Sequence, residues 1–188
     1  MMYCTEVMVE QHANISRMLK IIQAACCAIL EGGEVDQKEF ADIIDFIRNY
    51  ADNHHHRREE EVLFPEMVDN LEEVASIIIK HGMLVEHDLV RAHVRALEEA
   101  LSFTPKNRKR NTNSRFWRKL WLMPIACRCM LKKKTTSSIP WLTAACLKIS
   151  KKKSTRRSKI LKKKKTRPSY KVTWLYLDRL EKKYHIVA

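Results

Sequence analysis

Apolar residues recur along the first hundred positions at steps of three and four. From about Tyr3 to Leu30 the rail reads Met8, His12, Ile15, Leu19, Ile22, Cys26 and Ile29, which is one face of an amphipathic helix. Gly32-Gly33 marks its end. A second rail, Phe46, Tyr50, Asn53, His56, Glu60, Phe64 and Met67, predicts a helix from about Asp36 to Phe64. That helix is expected to stop near Pro65, with a polar break around Asp52-Asn53. A third rail, Ile79, Met83, His87, Val90, Val94, Leu97 and Leu101, predicts a helix from about Glu72 to Leu101. Long helices joined by short loops pack as an up-and-down antiparallel bundle, so the expected fold class is all-α.

Each rail is interrupted by residues that an apolar core normally excludes. They are His12 on the first, His56 with Glu60 on the second and His87 on the third, near mid-length in each case. A buried imidazole needs a partner for each ring nitrogen, and a buried carboxylate is costly unless it is paired or holds a cation. One shared cation meets both needs. Nitrogen and carboxylate donors suit iron, manganese or zinc, and no thiolate stands among the candidates.

The run His54-His55-His56-Arg57-Arg58-Glu59-Glu60-Glu61 offers more than one choice of inward pair. Helical steps from His55 reach Arg48, Ala51, Glu59, Val62 and Glu66, a mostly polar line, whereas His56 and Glu60 lie on the apolar one. The pattern therefore favours His56 and Glu60, and it places His54 and His55 at the margin or in solvent. A register shift of one residue exchanges these roles, and Glu59 is a possible flanking ligand. Tyr50, Asn53, Glu86 and Asp88 are candidates for fixing imidazole tautomers from outside. His81, His93 and His185 fall off the rails and read as surface residues.

The Glu10-Gln11-His12 segment with Ile15, the stretch HHHRREEEVLFPEM from His54 to Met67, and HGMLVEHDLVR from His81 to Arg91 together resemble the hemerythrin-like, HHE cation-binding family. The resemblance covers about residues 3–103. It implies a four-helix bundle around a non-haem di-iron centre, with an open position for dioxygen or a similar small ligand. Iron ligation by His12, His56, Glu60 and His87 is what it implies for this chain. The family's fourth helix brings a further His followed four residues later by a carboxylate, and no such pair follows residue 103 here. The fourth helix is thus expected to be missing or disrupted.

Charge divides the chain at the same place. The net charge of +14 averages two unlike halves: residues 1–103 carry 9 Lys and Arg against 20 Asp and Glu, and residues 104–188 carry 27 against 2. The sequence accordingly divides into a metal-binding bundle at 1–103, a basic segment at 104–173 and a short amphipathic helix at 174–188. The basic segment has two readings. It is a tail that contacts nucleic acid through its basic runs with Trp117 and Trp121, or it is the product of a double frameshift between about Ser102 and Trp174. The frameshift reading has specific support: back-translating Met123 to Trp141 and dropping two bases gives, as one solution, a string containing HxxxE. The ordinary mixed-charge pattern also returns from Trp174 to Tyr184.

Six cysteines, among them Cys26 and Cys27 within an apolar helical pattern, do not form a secreted disulfide framework. With no basic leader and no uninterrupted apolar stretch of about 18 residues, the expected setting is a reducing cytoplasm without a membrane. No Ser or Cys sits in an activated turn, so nucleophilic catalysis has no support. Dioxygen or a similar small ligand is the expected partner, and no protein partner is indicated.

Overall fold

The computed structural model describes residues 2–102 and 171–186, which are all-α; no strand occurs among them. Helix α1 spans Met2–Leu30. Every position of its rail from Met8 to Ile29 is buried, His12 included. It ends where Gly32 adopts a φ of +103°, a left-handed conformation that glycine accepts without steric cost. The Gly33 amide then donates to the Ala28 carbonyl at 3.0 Å, and a Cβ at Gly33 would lie 2.7 Å from that oxygen. Asp36 caps α2 (Gln37–Phe46), its carboxylate accepting from the Lys38 and Glu39 amides at 3.0 and 3.1 Å.

Beyond Phe46 the helix widens instead of ending. A π-helical stretch, Ile47–His56, is followed by a second at Glu59–Leu63 and then by α3 (Phe64–Ile78). A third, Ile79–Met83, leads into α4 (Leu84–Ser102). Amides five residues on mark the change: Arg57 donates to Asp52, Phe64 to Glu59 and Leu84 to Ile79. The expected stop at Pro65 does not occur, because Pro65 falls in the first turn of α3, where a missing N–H costs no helical bond.

Ion pairs between Arg48 and Glu98, Asp52 and Arg91, and Glu60 and His87 show two antiparallel arms, with residue numbers rising along one as they fall along the other. A straight helix from residue 48 to residue 98 would separate those ends by ~75 Å. The chain therefore reverses between Glu60 and His87, the stretch that contains α3. α1 lies antiparallel to the first arm, since Asn14 meets Tyr50 and Gln11 meets His54. The main core fills the space between them with Ile21, Ile22, Phe40, Ile43, Phe46, Val90 and Leu97.

A further helix, α5 (Lys171–Lys183), closes this core. Leu177 and Leu180 are buried in the same cluster, each stabilising the fold by roughly 1.5–3 kcal/mol through removal from water. Around them Arg17 grips Glu181 in a two-point contact of 2.7 and 2.6 Å and reaches Asp178 at 3.1 Å. Arg179 pairs with Asp42, and Lys183 and Tyr184 both hold the buried carboxylate of Glu39. These pairings run α5 antiparallel to α2. A fourth helix is thus present at this end, although its carboxylates Asp178 and Glu181 are spent on Arg17 and it adds none to the histidine cluster.

The stretch Met8–Leu30 is long and apolar enough by length and composition to cross a membrane, and half of it is buried inside the bundle. Its apolar side is the core-facing rail of a packed helix. The basic segment expected at 104–173, with the nucleic-acid and frameshift readings that rest on it, lies outside the described residues except for the start of α5.

Burial and the neighbouring Cys27 push the Cys26 thiol up to about 12, well above its ordinary 9.0. Since the thiolate is the nucleophile, Cys26 in the native protein is expected to resist alkylation at pH 9, where an unfolded chain is half ionised. Any stability tied to this thiol is complete below pH 9 and is lost as the pH rises toward 12. Peptide mapping after an iodoacetamide pulse checks it, and labelling of native Cys26 at the rate seen in denaturant would contradict it.

Candidate metal centre

The candidate histidines meet where α1, the π-widened first arm and α4 face one another. His12, His55, His56 and His87 are all buried, the last three at 0–1% exposure. Glu59, 3% exposed, stands among them. Its Oε1 lies 3.5 Å from His55 Nε2 and 3.9 Å from His12 Nε2, while Oε2 lies 3.2 Å from His87 Nε2. One donor atom from each of His12, His55 and Glu59 falls within 4.8 Å of the others. The His12 and His55 rings meet edge to face at 4.6 Å, and His56 stacks on His87 at 3.8 Å.

The sequence reading placed His55 at the margin and took His56 with Glu60 as the inward pair. The structure buries both His55 and His56, and it turns Glu59 inward. Glu60 is half-buried, with its Oε1 accepting from His87 Nδ1 at 2.6 Å and from Arg91 at 2.8 Å. The π-helical stretch is the reason. More residues per turn mean a smaller angle between neighbours, so two consecutive side chains share one face. The buried positions step from Tyr50 and Ala51 to His55 and His56, a stride of five, and Asn53 on the expected α-rail is exposed. On α4, where the α-period holds, His87 sits as expected.

Acceptors surround the cluster and set its tautomers. Gln11 Oε1 accepts from His55 Nδ1 at 3.0 Å, Asp52 from His56 Nδ1 at 3.3 Å and Glu60 from His87 Nδ1 at 2.6 Å. A proton held on each Nδ1 leaves the Nε2 lone pair as the donor. For His55 and His87 that atom faces Glu59. Arg91 joins Asp52 and Glu60 from outside, its Nε 2.9 Å from Asp52. Burial works to raise the Asp52 pKa, but hydrogen bonds from His56 and Arg91 and the Arg91 charge outweigh it and bring it down to about 2. Burial, aided by the Arg58 charge, lowers His54 to about 4, so its ring is neutral where Gln11 Nε2 donates to its Nε2 at 2.9 Å.

Gln11 belongs to the Glu10-Gln11-His12 motif, but its spacing alone assigns it no role. Its amide serves His54 and His55 together, and Gln11→Leu is expected to weaken cation binding by about 10–100-fold by releasing the His55 tautomer. Calorimetric titration of a divalent metal into the variant measures this; unchanged affinity would show that Gln11 holds nothing the cation needs.

The donor set suits a borderline transition metal: imidazole nitrogens with their outer protons anchored, and one carboxylate. No cysteine sulfur joins it among the described residues. No curated protein and no solved structure matches the chain. A family model does: that of the hemerythrin HHE cation-binding domain, over residues 5–122, which runs past residue 103 into the basic segment. With most of its length matched and a histidine and glutamate cluster at the heart of its helices, the chain belongs to the hemerythrin HHE cation-binding domain family.

Proposed function

We propose that this protein binds non-haem iron through His12, His55, His87 and Glu59, and that the bound iron serves to bind or sense dioxygen or a similar small ligand, or to hold iron in reserve. The observation that carries the reading is the buried Glu59 carboxylate with three imidazole Nε2 atoms around it at 3.2–3.9 Å. Iron bound there supplies a coordination position for a small ligand beyond those the protein fills. The chain's own residues supply the rest. Gln11, Asp52 and Glu60 hold protons on the outer imidazole nitrogens, and the Phe64 ring, 5.7 Å from His87, helps keep the surroundings apolar.

The residues brought together are donors for a cation and the acceptors that orient them, so the proposal is of a binding protein. Free Cys26 and Cys27 suit a reducing cytoplasm. The test is anaerobic reconstitution with Fe(II), followed by cycles of air and vacuum monitored by optical absorption. A charge-transfer band that appears with air and reverses supports ligand binding; a band that appears once and stays supports iron storage. Absence of bound iron would end the proposal. Salt-sensitive nucleic-acid binding lost on deletion of residues 104–173 would establish the other reading of the basic segment.

A further inference from the structure

The stacked His56 and His87 rings divide two differently occupied regions. On their Nε2 side, His87 faces Glu59. On their Nδ1 side lie Asp52 at 3.3 Å from His56 and Glu60 at 2.6 Å from His87. This second region holds two carboxylates, each accepting from an imidazole N–H, and a cation already stands between them. The Arg91 terminal nitrogen lies 2.7 Å from Asp52 and 2.8 Å from Glu60, and the other terminal nitrogen lies 3.1 Å from Asp88.

We infer that the Arg91 guanidinium is the resident cation of this second region, and that it limits the protein to one metal ion by holding Asp52 and Glu60 as proton acceptors instead of ligands. The inference rests on the metal-binding reading above and adds the stoichiometry to it. A guanidinium is permanently charged and planar, and it matches two carboxylates at once. Here it keeps Asp52 ionised and fixes Glu60 on His87 Nδ1. That hydrogen bond in turn commits His87 to present Nε2 toward Glu59. Arg91 is therefore a positioning residue: it touches no cation, and it decides which of the adjacent glutamates, Glu59 or Glu60, is free to do so.

Titration of the full chain with Co(II), read by calorimetry and by elemental analysis after desalting, tests this. The wild type is expected to take up one equivalent. Arg91→Met is expected to take up two, since its removal leaves the Asp52 and Glu60 carboxylates without their cation beside His56, which is not a ligand of the first ion, whereas Arg91→Lys stays at one. A purely structural Arg91 would lower thermal stability without raising stoichiometry. Asp52→Asn, which leaves Arg91 in place and whose imidazole partner His56 is not one of the four ligands, gives an independent measure: it should stay at one equivalent with affinity little changed. Two equivalents in the wild type, one in a helical Arg91→Met variant, or complete loss of binding in Asp52→Asn would each overturn the inference. No Co(II) uptake by the wild type overturns the metal-binding reading itself and the inference with it.

Discussion

Glu59→Gln is expected to abolish tight metal binding while leaving the metal-free protein at least as stable as the wild type. The two halves of this result have different causes. Among the described residues, Glu59 offers the only carboxylate that faces His12, His55 and His87 together. Because residues behind a metal ligand already account for about 10–100-fold in affinity, loss of this ligand should cost at least about 100-fold. Without metal the balance reverses, since a carboxylate 3% exposed carries a desolvation cost that an isosteric amide avoids. A ligand that binds only the folded state stabilises it by about 2.7 kcal/mol at a hundredfold excess over its Kd. Thermal denaturation with and without Co(II) should therefore show a metal-dependent rise for the wild type and none for Glu59→Gln. Glu60→Gln should retain most of the rise. Equal loss in both variants would mean that the two glutamates share the ligand role.

Leu177→Ala is expected to destabilise the fold by about 2–5 kcal/mol, a large share of the stability of a domain this size. Leu177 is fully buried on α5 and reaches the core shared by α1 and α2. Its truncation leaves a cavity that the surrounding Arg17–Glu181 and Glu39–Lys183 pairs, fixed across the helix, do not let collapse. Urea denaturation followed by circular dichroism measures the change. Since no described side chain of α5 joins the histidine cluster, the folded fraction should still bind metal with wild-type stoichiometry. A shift below about 0.5 kcal/mol, the size of an ordinary surface substitution, would mean that α5 does not close the core.

The α-period made much of this readable. The rails of α1 and α4 run without a break, and their two histidines, His12 and His87, are buried where three-and-four stepping puts them. The first arm was harder because its middle is π-helical, and a stride of five replaces the expected steps of three on entering the histidine run. The sequence does carry a mark of this: HxxxE occurs twice in adjacent registers, His55 with Glu59 and His56 with Glu60. A doubled motif cannot choose its own inward copy, and the backbone decides. The role of Arg91 was illegible for a related reason, since it depends on Asp52, Glu60 and Asp88 meeting across two arms and not on any spacing along one. The closure of the core by α5 depends likewise on pairings such as Arg17 with Glu181, more than 160 positions apart.

Whether this cluster holds a metal ion is decided by metal content. The wild type and a His12→Ala/His55→Ala double variant, each incubated anaerobically with Fe(II) and desalted, are compared by elemental analysis, with circular dichroism confirming that both remain helical. About one iron per wild-type chain is expected, with background iron in the double variant. Equal iron in the two proteins, or background iron in both, would contradict it.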